Sequence, residues 1–328
     1  MKYFLEKVVP SEQYVYAVKH RDSKIREASR SGGVFTALSD YFFTNDGTVY
    51  GCIMDTPYHA VHKRATDAEL RNLMRGSKYI QSSLGGVFEQ VKKDLDLSRS
   101  VLFTGTPCQV KGLKKFLGFE YSNLFTVDII CHGVPSPLIW KDYVRYLENK
   151  QSKWAQSVDF RNKKKYGWNS HVESIQFDDG SVIDSKTFAT LFYDHNILRP
   201  SCYKCPYKCI NHPGDITIGD YWGIEKVAPE FYDEKGVSLV IINSKKGKFL
   251  FDKCKDKMDI IREDINSCLQ PPLIKPFPQP KGRMYFWEYY RTHDFEDVLK
   301  KYSDIGLKYK THVFLSHIKQ AILGYLKK

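Results

Sequence analysis

Ser100-Val-Leu-Phe-Thr-Gly-Thr-Pro-Cys-Gln109 and Leu124-Phe-Thr-Val-Asp-Ile-Ile-Cys-His-Gly-Val-Pro-Ser-Pro137 decide how this chain folds. Each is a short apolar run that ends in a Gly- and Pro-bearing loop with one cysteine. Each is followed by an amphipathic stretch, Gln109 to Leu117 and Pro137 to about Asn149, that reads as a helix. Strand, turn and helix repeated in this order predict an α/β layer with at least some parallel strands.

The alternation extends towards the N-terminus. Val34, Phe35, Leu38, Tyr41 and Phe42 recur at helical spacing, Thr48 to Met54 reads as a strand, Thr66 to Glu69 has the form of a capping box, and Leu84 to Leu95 reads as a helix. After residue 151 the texture changes. Val172 to Ile183 alternates apolar and polar residues around Asp178-Asp-Gly180, which predicts a hairpin. A strand at Val237 to Ile242 and a Lys-rich helix from Lys245 to about Lys257 follow. Gln270 to Pro280 is then too rich in proline for regular structure and reads as a linker or a strap over the surface. The expected class is α/β, a mixed sheet flanked by helices over residues 1–150, with a smaller α+β part over 151–328. The tail from His312 to Lys328 is a basic amphipathic stretch, read as a helix docked on its own core rather than on a membrane.

With 328 residues, 42% of them hydrophobic, the chain has the means to bury a substantial core. Its net charge of +12 favours anionic partners such as phosphate-bearing cofactors or nucleotide sugars. The basic residues are dispersed and no recognition module is present, which argues against nucleic acid. The first residues hold no apolar run of signal length and no window reaches the length of a membrane span, so the expected location is cytoplasmic, with no transmembrane segment. In a reducing compartment eight cysteines are ligands or reactive thiols rather than a disulfide framework. Cys254 and Cys268 belong to no motif and read as buried free thiols.

Cys202-x2-Cys205, with Cys209 close behind, presents thiolates to one point and suits zinc and iron–sulfur equally well. A structural zinc needs a second tight pair, and none exists. What the chain offers are Cys108 and Cys131, each just past a predicted strand, where an open α/β sheet places its ligand site. Cys108, Cys131, Cys202 and Cys205 together would hold a 4Fe-4S cluster, and Cys209 competes for the fourth position.

Together these motifs, with Ser31-Gly-Gly-Val-Phe-Thr-Ala-Leu38, Gly76-Ser-Lys-Tyr-Ile-Gln-Ser82, Phe160-Arg-Asn-Lys163, Gly167-Trp168 and Cys202 through Trp222, resemble the beta subunit of coenzyme F420 (deazaflavin) hydrogenases and its dehydrogenase relatives, among them 7-hydroxymethyl chlorophyll a reductase. The resemblance runs in order over about residues 30 to 225 and implies FAD, a 4Fe-4S cluster and electron transfer between iron–sulfur carriers and an organic substrate. Many relatives carry an N-terminal ferredoxin-like module. Here no cysteine precedes Cys52, so the electrons must pass through a separate ferredoxin-type partner. Bacterial relatives of this kind are found beside surface-polysaccharide enzymes, which points to a small-molecule, sugar-linked substrate.

The remaining motifs are read against a flavin. Ser31, Gly32 and Gly33 open a helix, with backbone N–H groups for a pyrophosphate. Ser77, Lys78, Tyr79 and Gln81 add hydroxyl, cation and amide donors. Gly105, Thr106 and Pro107 bring backbone to the ring, and His132 is placed to donate a proton. Arg161 and Lys163, with Lys164 and Trp168, are expected to form a lid facing a sugar phosphate or nucleotide, and Asp220-Tyr-Trp-Gly223 a wall of the site. The expected function is an FAD- and 4Fe-4S-dependent oxidoreductase. The competing reading is a non-enzymatic zinc-binding or scaffold module of a polysaccharide assembly complex.

Overall fold

The computed structural model describes residues 14–306. The expected tail helix from His312 therefore lies outside the described residues. Twelve strands occur in chain order: β1 (Tyr14–His20), β2 (Thr48–Thr56), β3 (His59–Ala65), β4 (Ser82–Ser83), β5 (Val101–Gly105) and β6 (Leu124–Ile129). They continue with β7 (Ala155–Asp159), β8 (Glu173–Phe177), β9 (Val182–Ser185), β10 (Ile216–Asp220), β11 (Ser238–Ile242) and β12 (Met258–Glu263). Nine form one mixed sheet in the order β12-β1-β11-β10-β6-β5-β2-β3-β4. Its centre is parallel, with β10, β6, β5 and β2 running the same way, and antiparallel partners flank it. The fold is α/β, as the strand–turn–helix reading required.

Alternation along β5 shows how the layers form. Leu102 faces a core that holds the helices Val34–Phe43 and Lys245–Lys253, whereas Val101 and Phe103 face the helices Val87–Asp96 and Pro107–Leu117. Helices cover both faces, so the central strands carry near-continuous apolar runs, as buried parallel strands do. The change of texture at residue 150 does not coincide with a break in the sheet, because β10, β11 and β12 rejoin the strands of the first half. The smaller sheet β7-β8-β9 contains the expected hairpin, turned at Gly180 with φ 82°. With the helices Pro137–Gln151, Thr187–Tyr193, Arg283–Thr292 and Phe295–Tyr302 it encloses a separate aromatic core.

Several boundaries differ from expectation for local reasons. The short helix after β3 is capped by Asp67, whose side chain accepts from Leu70 N at 2.9 Å, and not by Thr66. The helix expected from Gln109 starts two residues earlier, at Pro107, because Thr106 and Gln109 close a capping box. The Lys-rich helix ends at Lys253 and passes into a 3-10 turn, Lys255–Lys257. The proline-rich segment contains one regular piece, the 3-10 turn Pro271–Leu273.

Candidate functional site

The C-terminal ends of β5, β6 and β10 open onto a cavity of about 1080 Å³. A crevice outside the carboxyl ends of parallel strands is where an open α/β sheet holds its ligand. Gly105 and Thr106, Ile129 to His132, and the N-terminus of the helix Val34–Phe43 all line it. Leu269–Pro272 and Phe277 also line it, so the proline-rich segment forms part of the cavity wall.

Of the residues singled out from sequence, Ser31, Gly33, Ser77, Lys78, Tyr79, Gln81, Gly105, Thr106, Cys108, Cys131, His132 and Arg161 line the cavity, and Gly32, Pro107, Lys163, Cys202 and Cys205 do not. The helix that follows Gly33 begins at this space, since Gly33, Val34 and Phe35 all line it, and its first turn carries the helix's positive end.

Three expectations are corrected. Gly32 has no backbone to offer a ligand: its N–H donates to Ser238 Oγ at 2.9 Å and its carbonyl accepts from His20 N at 2.7 Å. A Cβ there would stand 2.2 Å from the Val18 carbonyl oxygen, so the glycine serves the approach of two protein backbones. Lys78 lines the cavity, but its ammonium donates to the carbonyls of Arg75 at 2.7 Å, Leu73 at 3.0 Å and Gly76 at 3.2 Å, and burial pulls its pKa down to about 8. Lys163 is no lid residue; it is buried and donates to the carbonyls of Arg26 and Lys235, which pin the loop to the body.

Trp168 and Arg161 likewise belong to a packed wall and not to a lid. Arg161 donates to Asp220 at 2.8 Å, to the Trp168 carbonyl at 3.0 Å and to the Ser170 carbonyl at 3.1 Å. Trp168 Nε1 donates to the other Asp220 oxygen at 2.9 Å. Arg30, which no local signal marks, joins this wall by donating to the carbonyls of Arg161 and Trp168.

The cysteines come together from three segments. Cys108 lies in the first turn of the helix Pro107–Leu117, its Sγ 3.1 Å from Thr106 Oγ1. Cys131 follows β6, and the segment holding Cys202 is fastened to that loop by the Pro135–Leu198 bridge and by Arg199 N donating to the Val134 carbonyl. Lys208 then returns to donate to the His132 carbonyl. The result is that Cys131 is flanked electrostatically by Cys108 and Cys202, and Cys205 by the same two. Burial first, and these neighbours second, push the Cys131 thiol up to about 12. Cys209 instead donates to the carbonyls of Asn211 at 3.3 Å and Pro206 at 3.6 Å.

Lys208 is the residue most clearly missed by sequence reading. It is buried, it faces Cys131, Cys202 and Cys205, and its ammonium lies 4.4 Å from the Phe277 ring. Nothing in Tyr207-Lys-Cys209 distinguishes it from the neighbouring solvated lysines. His132 Nε2 lies 2.7 Å from His195 Nε2, and Phe277 stacks on the His132 ring and packs tilted against that of His195. Burial and His195 pull the His132 pKa down to about 3. Among the described residues no three His, Cys, Asp or Glu side chains close up around a single-ion position.

A cavity at the C-terminal ends of parallel strands, lined by Cys108 and Cys131 with Cys202 and Cys205 close by, has the build of a redox protein. Residues 98–267, just over half of the chain, match the family model for the C terminus of the coenzyme F420 hydrogenase/dehydrogenase beta subunit, and the chain belongs to that family. Among solved structures it is similar to a chain of the xenon-derivatised F420-reducing NiFe hydrogenase complex from Methanosarcina barkeri, with 17% identity over 90% of this chain and 93% of that one and a TM-score of 0.52. At that identity the likeness speaks for the fold. No curated protein matches the chain. No helix among the described residues is long and apolar enough to cross a membrane.

Proposed function

We propose that this chain is a cytoplasmic iron–sulfur flavoprotein that takes electrons from a ferredoxin-type partner and reduces an organic, sugar-linked acceptor in surface-polysaccharide biosynthesis, or runs the same transfer in reverse. The observation that carries this reading is that Cys108 and Cys131 line the cavity and that Cys202 lies within electrostatic reach of Cys131 and Cys205, as Cys108 does. Four thiols with no paired second Cys-x2-Cys suit a 4Fe-4S cluster, and Cys209, turned to its own loop carbonyls, is left out. When bound, the two groups supply one-electron passage at the cluster and two-electron chemistry at the flavin.

The cavity residues fit FAD in size and in donors. Its volume exceeds that of ordinary small-ligand pockets, about 300–1,000 Å³. The first turn of the helix Val34–Phe43 and Arg75 would hold the pyrophosphate, and Ser77 and Gln81 the more polar edge. Gly105 leaves the backbone of the turn after β5 bare towards the ring. Arg199, exposed at the rim, would orient an anionic acceptor. His132, held neutral against His195, would position a ligand through a hydrogen bond sooner than donate a proton as an acid.

Anaerobic purification tests the reading. A brown protein with flavin absorbance and about four irons, four sulfides and one flavin per chain is expected, reducible by ferredoxin. A colourless protein carrying zinc would replace it with the scaffold reading.

A further inference from the structure

Behind the large cavity lies a second, small chamber of about 10 Å³. Phe160, Phe188 and Phe192 contribute to its wall, and its polar lining is Glu173, Tyr79, His171 and Tyr193. Those last three also line the large cavity, so they form the partition between the two spaces. Tyr193 bonds to His171 Nδ1 at 2.7 Å and is an electrostatic neighbour of Tyr79, whose hydroxyl lies 3.4 Å from Arg161 Nη1 in the large cavity. The volume suits one water molecule.

Glu173 is 1% exposed. Its Oε1 accepts from Phe188 N at 2.9 Å and from the Tyr143 hydroxyl at 3.1 Å. Its Oε2 is buried without a hydrogen-bond partner among the described residues; the Ser185 hydroxyl faces the carboxyl and favours its charged form without closing to bonding distance. A buried carboxylate in this position is costly to leave charged, and a protonated one needs an acceptor for its O–H. A water in the chamber would supply one.

We propose that Glu173 is a proton store for the large cavity, exchanging protons with it through a one-water chamber and the Tyr79–Tyr193–His171 partition. The idea rests on the reading that the cavity hosts redox chemistry, in which protons must accompany electrons. On release, the Glu173 O–H bond breaks and its electron pair stays on the carboxylate. The proton passes to the chamber water, which gives one of its own to the partition, and the partition delivers one into the cavity. Recharging reverses these transfers from solvent in the open cavity.

The electrostatics agree with the geometry. Burial pushes the Glu173 carboxyl up to about 7, opposed by Phe188 N–H, Tyr143 and Ser185. From the adjoining helices Tyr143 faces it directly, and Asp304 acts on Tyr143 from behind. Burial, with Arg161 and Arg30, pulls His171 down to about 4, so its ring is neutral at pH 7, one nitrogen donating and one accepting, as a relay requires.

Infrared spectroscopy of the full chain tests this without flavin, cluster or substrate, so its outcome is separate from that of the redox reading. The wild type should show the carbonyl stretch of a buried protonated carboxyl that disappears with a midpoint near neutral pH, and Glu173→Gln should lack it. In D2O the band should shift promptly in the wild type and at least tenfold more slowly in Tyr193→Phe. Should Glu173→Gln not fold, Tyr143→Phe, which removes a donor that favours the carboxylate, must raise the midpoint. A band that fails to titrate between pH 5 and 9, an unmoved midpoint in Tyr143→Phe, or equal exchange in Tyr193→Phe overturns the proposal.

Discussion

Arg161 Nη1 stands 2.8 Å from Asp220 Oδ2, and this pair, together with Arg30 at 4.0 Å, joins the loop after β7 to the end of β10 across the cavity wall. The Arg161 and Asp220 side chains are 3% and 11% exposed. Removing one partner of such a pair strands the other charge away from water. Asp220→Asn should therefore cost about 3–5 kcal/mol, read as a lower urea midpoint, because two guanidinium groups lose the carboxylate they share. A midpoint within error of wild type would mean that solvent reaches this wall.

The thiol arrangement predicts a split among single variants. Cys108→Ser, Cys131→Ser, Cys202→Ser and Cys205→Ser should each lose most of their iron and labile sulfide after anaerobic reconstitution, whereas Cys209→Ser should keep it. The reasoning is that Cys108 and Cys202 lie within electrostatic reach of both Cys131 and Cys205, while Cys209 is bonded to the Asn211 carbonyl. Loss of iron in Cys209→Ser with retention in Cys108→Ser would put the three clustered cysteines on the metal.

What could be read from sequence was local. β5 and β6, their loops and their cysteines were legible because strand, turn and helix succeed one another within a few residues. β1 was not, since it is buried on both faces between β11 and β12 and shows no period of two. The cations were misread for a different reason. Whether Lys163 faces solvent depends on the Arg26 and Lys235 carbonyls, 137 and 72 residues away. Lys208 is recruited to the thiols by an equally distant carbonyl, that of His132. Such partners are set by tertiary packing, which residue type and spacing do not encode.

Lys78 and Arg75 should behave oppositely when truncated. Lys78→Met leaves three carbonyls without their donor and should destabilise the fold by roughly 1–3 kcal/mol, with little specific effect on flavin. Arg75→Met removes a cation whose only side-chain hydrogen-bond partner among the described residues is the Thr36 hydroxyl. It should weaken FAD binding on the order of tenfold, more at low salt than at high salt. Titration of flavin fluorescence against each variant separates the two outcomes, and equal affinities would move the pyrophosphate away from Arg75.

Lys208 should act on the redox midpoint. It is a buried cation facing three of the four thiols, so it favours whichever state of the site carries more negative charge. Lys208→Met should lower the midpoint of the reconstituted protein by on the order of tens of millivolts while leaving iron content unchanged. A midpoint equal to wild type in a potentiometric titration would show that the charge is screened.

The last prediction concerns stability against pH. The Glu173 carboxyl is raised to about 7 in the folded chain from an ordinary value of 4.5, chiefly by burial. The folded state therefore binds the proton more tightly than the unfolded chain, and stability rises as pH falls through this interval. The contribution is fully present below about 4.5, declines as pH rises towards 7, and above that the buried charge costs the fold about 3 kcal/mol. Glu173→Gln cannot ionise, so its urea midpoint relative to wild type should rise between pH 5 and pH 8. Comparing the two proteins removes the other titrating groups, which are common to both. A difference that stays flat over this range would mean that the carboxyl ionises in the folded chain as it does in water.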